Sequence, residues 1–270
     1  MKLVTIGDAL LDVVVRLGEA LEDGADVTAQ TLASAGGQAA NVAAWAVALG
    51  AEARCVAKRG DDPAGLIVTA ELERRGVELA GPAVGRNGVV VSLVAADGER
   101  TMASDRGVAP QLSPDDLDPG WFACDRLHIS GYALLAAPID ASAQLAAELA
   151  RKNGAEVSVD LSAWTRIREH GPRRFREQLD RLEPHVVFAN EPEWEIVGAA
   201  YGLAPTAVVK LGARGATVLG ETRADLPATT GPVVDATGAG DALAAGFLVG
   251  GAELAAEAAA RCVSKLGALP

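Results

Sequence analysis

Near its C-terminus the chain carries the string VVDATGAGDALAAGF, Val233 to Phe247. A β-rich segment ending at Asp235 runs into a glycine-rich turn and then into an alanine-rich helix. Gly238 and Gly240 let the backbone turn tightly without a side-chain clash. The free amides of a first helical turn converge on one point, and the helix dipole reinforces them. Gly238, Ala239, Gly240 and Asp241 thus form a hole for an anion. Asp241 stands at its mouth, where a carboxylate opposes a bound phosphate unless its task is to take a proton. A lone Gly-x-Gly-Asp would read first as an acid that favours any helix start; the longer string is more specific.

Upstream lies GGQAANVAAWAVALG, Gly36 to Gly50. The paired glycines, with Gly37 second, allow a ligand to approach the backbone. Asn41 offers a donor and an acceptor at a helix start. The same residues also read as a plain glycine turn into an amphipathic helix, and both readings stand. In GDDPAG, Gly60 to Gly65, Asp62 caps a helix that Pro63 opens. NEPE, Asn190 to Glu193, follows the strand HVVFA and reads by itself as an acidic helix start. KLGARGA, Lys210 to Ala216, reads as a turn between two strands. Competing signatures are missing. No Lys directly follows a Gly, which excludes a Walker A loop. No Gly-x-Gly-x-x-Gly follows the first strand, and Ser130-Gly131 lacks the first glycine of a nucleophile elbow. His128, His170 and His185 lack metal-ligand spacing.

In this order the motifs resemble those of the PfkB, or ribokinase-like, family of sugar and nucleoside kinases. Asp235-x-Thr237-Gly238-Ala239-Gly240-Asp241 is similar to its C-terminal signature, and Gly36 to Gly50 to its N-terminal one. The resemblance runs from Gly7 to Gly267-Ala268. It implies transfer of a phosphoryl group from ATP to a primary hydroxyl of a small sugar. Asp241 would be the general base, and the Gly238–Asp241 turn the anion hole. Asp12, in GDALLD, would grip sugar hydroxyls with Gly37 and Asn41. Arg106, in SDRGVAP, would reach the substrate or the phosphates, unless it is a surface arginine. Asn190, Lys210, Gly212 and Gly215 would bind the nucleotide. Glu193 would hold Mg²⁺, partly through water, and Asp235 and Thr237 a K⁺ ion. Position 236 is Ala where the family often has Thr, and Leu243 stands where an aromatic is common. Only 29 residues (270 minus 241) follow Asp241. Many members have a longer tail, so the adenine pocket is less well defined than the phosphate site. A nucleoside such as adenosine or pseudouridine is the alternative acceptor. Few aromatics exist to stack a base, Trp45 and Tyr132 being the ones to inspect, which favours a plain sugar. A non-catalytic binding module of the same fold is a third reading, and the resemblance also implies a homodimer through the lid.

The elements that must position these residues alternate. Strands at Leu3–Gly7, Arg54–Lys58 and Arg126–Ser130, and later EVSVD, HVVFAN, AVVKLG and ATVLG, are spaced by helices at Asn41–Leu49, Pro63–Arg75 and Ala141–Asn153. Two more helices begin near Ala239 and Ala252. Strands spaced by helices imply βαβ units and a mainly parallel sheet with helices on both faces. The resemblance names this fold as the ribokinase-like three-layer α/β/α sandwich, with residues 1–270 forming one kinase domain. Two β-rich segments interrupt the pattern. Leu10–Leu17 is strand-like, followed by a polar stretch up to Ser34. Gly88–Ala95 and Arg100–Ser104 form a hairpin with Asp97-Gly98 as its turn. These insertions, about 10–34 and 86–106, would pair into a small β-sheet lid.

Composition bounds the remaining possibilities. Half of the 270 residues are hydrophobic yet only 4% are aromatic, so Ala, Val and Leu build the core. That excludes a disordered chain and a disulfide-stapled miniprotein. The net charge of −12 repels nucleic acid at long range. Cys55, Cys124 and Cys262 are odd in number and far apart, as expected of buried thiols in a reducing compartment. The N-terminus lacks a signal-peptide pattern. The stretch Ala242–Ala252 is shorter than the ~20 residues that span a bilayer. A soluble, cytoplasmic protein is expected.

Overall fold

The computed structural model describes residues 1–95, 100–198, 202–228 and 231–270. The chain opens with β1 (Lys2–Ile6), β2 (Leu10–Leu17), β3 (Ala29–Gly36) and α1 (Gln38–Ala48). Next come β4 (Glu52–Val56), α2 (Pro63–Arg74), β5 (Glu78–Ala80), β6 (Asn87–Val94) and β7 (Arg100–Gly107). The middle holds β8 (Arg126–Ser130), α3 (Ile139–Lys152), β9 (Glu156–Asp160), α4 (Trp164–His170) and α5 (Pro172–Leu182). The last part holds β10 (Val186–Asn190), α6 (Glu191–Ile196), β11 (Thr206–Lys210), β12 (Ala216–Leu219), β13 (Ala224–Leu226), α7 (Ala239–Gly250) and α8 (Ala252–Val263).

A nine-stranded sheet runs β13-β12-β11-β10-β9-β8-β1-β4-β5. Its pairs are parallel from β11 to β5, and β12 and β13 return antiparallel. Strands buried on both faces carry alternating residues into two cores. Leu3 and Cys55 pack with α1, α2, α7 and α8, while Val4 and Val56 pack with α3 and α5 on the other face. These are the three layers that the βαβ pattern predicts. The first face is built largely from alanine, so α7 and α8 lie close together and each side chain adds little area. The second face uses Phe122, Phe175 and Ile139, all fully buried, each worth ~1.5–3 kcal/mol in transfer terms.

The two β-rich insertions meet in a second sheet of order β3-β2-β6-β7, joined through the parallel pair β2–β6. The expected turn at Asp97-Gly98 lies outside the described residues. Three expectations change. The polar stretch before Ser34 includes a strand, because β3 pairs with β2 along its whole length, from Leu10↔Gly36 to Leu17↔Ala29. Val233–Asp235 is not a strand; the Val234 and Asp235 amides bond instead to the Val263 carbonyl at the end of α8. Trp45 is fully buried within α1 and its indole N–H donates to the Ala268 carbonyl at 2.8 Å, so it cannot stack a base. Among the described residues no helix is long and apolar enough to cross a membrane.

Candidate active site

Parallel strands deliver their polar residues at one edge, as open α/β sheets do. Asp8 follows β1, Ser130 ends β8, Asp160 ends β9, Asn190 ends β10 and Lys210 ends β11. The N-termini of α1 and α7 arrive at the same edge. Two cavities open there. One, of about 610 Å³, is lined by Asp8, Asp12, Gly37, Asn41, Arg106 and Asp241 among others. The second, of about 350 Å³, is lined by Lys210, Gly212, Gly215, Ala239, Gly240 and Leu243 among a mainly apolar set. The start of α7 is shared: Thr237, Gly238 and Asp241 face the first cavity, Ala239 and Gly240 the second.

The α7 turn needs its glycine. Gly238 has φ 77°, and a Cβ there would lie 2.5 Å from the Ala268 Cβ. Ala242 N–H is bonded back to the Gly238 carbonyl at 2.9 Å. Ahead of it the amides of Gly240 and Asp241 have no intrahelical acceptor and could receive an anion. The Asp235 carboxylate ties the turn together. Its Oδ1 accepts from Thr237 N and Oγ1 at 2.9 and 2.6 Å, and its Oδ2 accepts from Gly267 N at 3.0 Å.

Asp241 is held from across the fold. Asn41 Nδ2 donates to Asp241 Oδ2 at 2.8 Å, joining residues 200 apart in the chain. The Asn41 Oδ1 is buried with no partner among the described residues, so it offers an acceptor beside the first cavity. Desolvation pushes the Asp241 carboxyl up to about 7, against the pull of the Asn41 hydrogen bond. Gly37 precedes α1 with φ 92°, and a Cβ there would sit 2.4 Å from the Asp8 carbonyl. Asp12 lies on β2, one residue along from the Leu11 that pairs with Val89 of β6. Arg106 is no surface arginine: it grips Asp8 with two bonds of 2.7 Å and stacks 5.6 Å from the Tyr132 ring centroid.

On the other side, Lys210 Nζ donates to the buried Asp160 Oδ2 at 2.7 Å. The ammonium stands 3.2 Å from where a Cβ of Gly240 would be, so it flanks the first turn of α7. Burial opposes its charge, but Asp160 and Glu193 outweigh that and hold it above the ordinary lysine range. Glu193 is buried rather than solvated, and forms a reciprocal capping box with Asn190. Its Oε2 accepts from Asn190 N and its Oε1 from Asn190 Nδ2, both at 2.8 Å. Burial pushes its carboxyl up to about 7, with Lys210 opposing.

The sequence-predicted residues therefore fall into three places. Asp12, Gly37, Asn41, Arg106, Thr237, Gly238 and Asp241 line the first cavity, and Lys210, Gly212, Gly215, Ala239 and Gly240 the second. Asn190, Glu193 and Asp235 line neither, and act from behind. Asp62 caps α2 by accepting from Gly65 N at 3.0 Å, as its sequence context predicts. His128 is buried and bonded to Ser158, and His185 Nδ1 accepts from Val157 N. Asp8 and Asp160 were not singled out by any motif. Their signal is position alone, since each follows or ends a buried strand.

A family model described as pfkB family carbohydrate kinase matches residues 1–269. An ATP-dependent ribose-1-phosphate kinase of Halopiger xanaduensis is 31% identical over 261 residues, covering 92% of this chain and 84% of that one. A fructokinase of Escherichia coli is 29% identical over 269 residues, with the same 92% and 84% coverage. Among solved structures, adenosine kinase from Sinorhizobium meliloti superposes with a TM-score of 0.89 at 25% identity, covering 100% of this chain and 95% of that one.

Proposed function

The chain belongs to the pfkB family of carbohydrate kinases, and on that premise we propose that it moves the γ-phosphoryl group of ATP to a primary hydroxyl of a small sugar. One observation carries this reading. Asp241 stands at the helix start where the two cavities meet, with its carboxyl poised near 7. A base tuned close to working pH takes the hydroxyl proton most effectively. The alkoxide oxygen then bonds to the γ-phosphorus as the bond to the ADP oxygen breaks.

The first cavity is the acceptor site. Asp12 and the free Oδ1 of Asn41 accept from sugar hydroxyls, and Gly37 lets the ring approach the backbone. Asp8 holds Arg106 at the cavity wall. The second cavity takes the nucleotide. Its apolar lining suits adenine, with Gly212 and Gly215 in the turn between β11 and β12. The expected third donor, Ala239 N, is instead turned to the Ala236 carbonyl at 3.3 Å. The amides of Gly240 and Asp241 receive the transferring group, and Lys210 neutralises it from the side. Removal of one such donor commonly costs ~10²–10³ in rate.

Glu193 and Asn190 line neither cavity and their side chains bond to each other, which leaves Mg²⁺ contact through water alone. They would hold the ion in that way, and it would offset charge on the phosphates. K⁺ fits less well through Asp235, whose two oxygens already accept from Thr237 and Gly267; carbonyls of the turn would carry it. The four-stranded sheet, built from the insertions about 10–34 and 86–106, is the lid over the acceptor.

A free sugar suits the acceptor cavity better than a nucleoside. Trp45 is buried, and a Tyr132 face carries the Arg106 guanidinium, so no pair of rings is left to sandwich a base. The test is ADP release from Mg-ATP over sugars, sugar phosphates and nucleosides, with Asp241→Asn beside the wild type. Turnover that survives the substitution would sink the catalytic assignment.

A further inference from the structure

One wall of the acceptor cavity has no role in the mechanism above. Gln38 opens α1, and its side chain lines the cavity. Ser130 Oγ donates to Gln38 Oε1 at 2.5 Å, and Ser162 Oγ stands 2.7 Å from the same oxygen, its one proton shared between that oxygen and the Asp160 carbonyl at 3.1 Å. Such separations belong to O–H···O bonds, and the first is too short for an amide N–H donor. Ser130 is fully buried and has no other acceptor among the described residues, so the polarity is settled: the oxygen is clamped. The Nε2 end has no partner among the described residues and is the end left for a ligand.

The clamp is built at a cost. Ser162 has φ 82°, a left-handed conformation that non-glycine residues rarely adopt. Its hydroxyl also accepts from Tyr132 N at 3.2 Å. Two residues later α4 begins, and its Arg166 lines the same cavity. Among the described residues Arg166 pairs with Glu169, at 2.8 Å, with both side chains 58% exposed; such pairs hold little energy and yield readily. His170 lines the wall too, but its Nε2 is engaged with Gln178 Oε1 at 2.7 Å, so we do not count it as a donor.

We propose that the acceptor sugar carries an anionic group, a phosphate or a carboxylate, received by the Gln38 amide and the Arg166 guanidinium. The inference rests on the kinase reading and names its substrate class. The hydroxyl to be phosphorylated lies at the Asp241 end, and the anion at the Gln38–Ser162–α4 wall. Asp8 does not repel it, because Arg106 already neutralises that carboxylate, and Glu169, which lines the same wall, must yield Arg166 to the anion.

The experiment compares kcat/KM at saturating Mg-ATP for D-ribose 1-phosphate, 2-keto-3-deoxygluconate, D-ribose and adenosine. The wild type should favour one of the two anionic compounds, and which one distinguishes phosphate from carboxylate. Arg166→Gln and Gln38→Glu should each lower the anionic-to-neutral ratio by about ten-fold or more. Gln38→Glu keeps an acceptor for both serines, and Arg166 is exposed, so both variants should fold. A merely structural role would move the numerator and the denominator together. Arg173→Gln, on exposed α5 positions, should leave the ratio where it was. A wild type that prefers ribose or adenosine, or a ratio unmoved by both substitutions, overturns the proposal while leaving the kinase reading intact. If no compound yields ADP, the kinase reading fails, and calorimetric binding of the same four compounds decides: anion binding lost in Arg166→Gln upholds the wall, and no binding removes it.

Discussion

Replacing Asp241 with Asn should slow turnover steeply and at the same time stabilise the protein, most strongly at neutral and alkaline pH. Folding moves this carboxyl from 3.8 to about 7. At ~1.4 kcal/mol per unit, the ionised form costs the folded state roughly 4 kcal/mol as an upper bound. The direction follows from proton counts. Between the two values the folded protein keeps a proton that the unfolded chain has lost, so stability falls as pH rises from about 4 to about 7. Asparagine keeps the size and the acceptor for Asn41 but never ionises. Melting temperatures of the two proteins should therefore differ most at pH 8, with the variant higher by up to about 8 °C at ~2 °C per kcal/mol. At pH 5 the gap should shrink by roughly 3 kcal/mol. Phosphorylation should drop by ~10²–10⁴-fold, the usual worth of a general base. Equal melting gains at both pH values would refute the desolvated carboxylate, and retained turnover would refute the base.

Other perturbations reach different parts of the site. Asn41→Leu removes the bond that holds Asp241 down, so the acid limb of the kcat/KM profile should move to higher pH; an unmoved limb would show that the 2.8 Å contact has no electrostatic weight. Lys210→Met strands the buried Asp160 and should cost ~3–5 kcal/mol, whereas Asp160→Asn with Lys210→Met should recover much of that in urea melts while remaining slow. Gly238→Ala forces a side chain into a left-handed turn 2.5 Å from Ala268; kcat should fall by ten-fold or more on the order of a lost anion-hole donor, and near-normal kinetics would mean that the turn is not the phosphate site.

The chemistry was most legible where it is local. The Gly238–Asp241 turn and Asp62 under α2 depend on residues within a few positions, and their spacing alone fixes the geometry. The βαβ alternation likewise announced the parallel sheet, because strands buried on both faces must be apolar throughout. Long-range pairings were not legible. Asp8 with Arg106 and Asp160 with Lys210 join strand ends whose neighbours are set by sheet order, which no single segment encodes. Asn41 is expected to hold substrate; that its Nδ2 also donates to Asp241 was not legible, because only the packing of α1 against α7 brings the two together. Trp45 suggested a base platform by type alone. The alanine-rich face around it needed one large side chain, and the C-terminal Ala268 supplied its hydrogen-bond acceptor. The strand at Ala29–Gly36 hid behind a polar surface pattern, since it pairs at the edge of a sheet exposed on one side.

The measurement closest to the central claim is ADP formation from Mg-ATP with each acceptor class, run in parallel on the wild type and Asp241→Asn. The account predicts turnover with at least one sugar, rising through about pH 7 as Asp241 ionises, and collapse in the variant with acceptor binding kept. Turnover in both proteins, or in neither while ATP and sugar still bind, would contradict it.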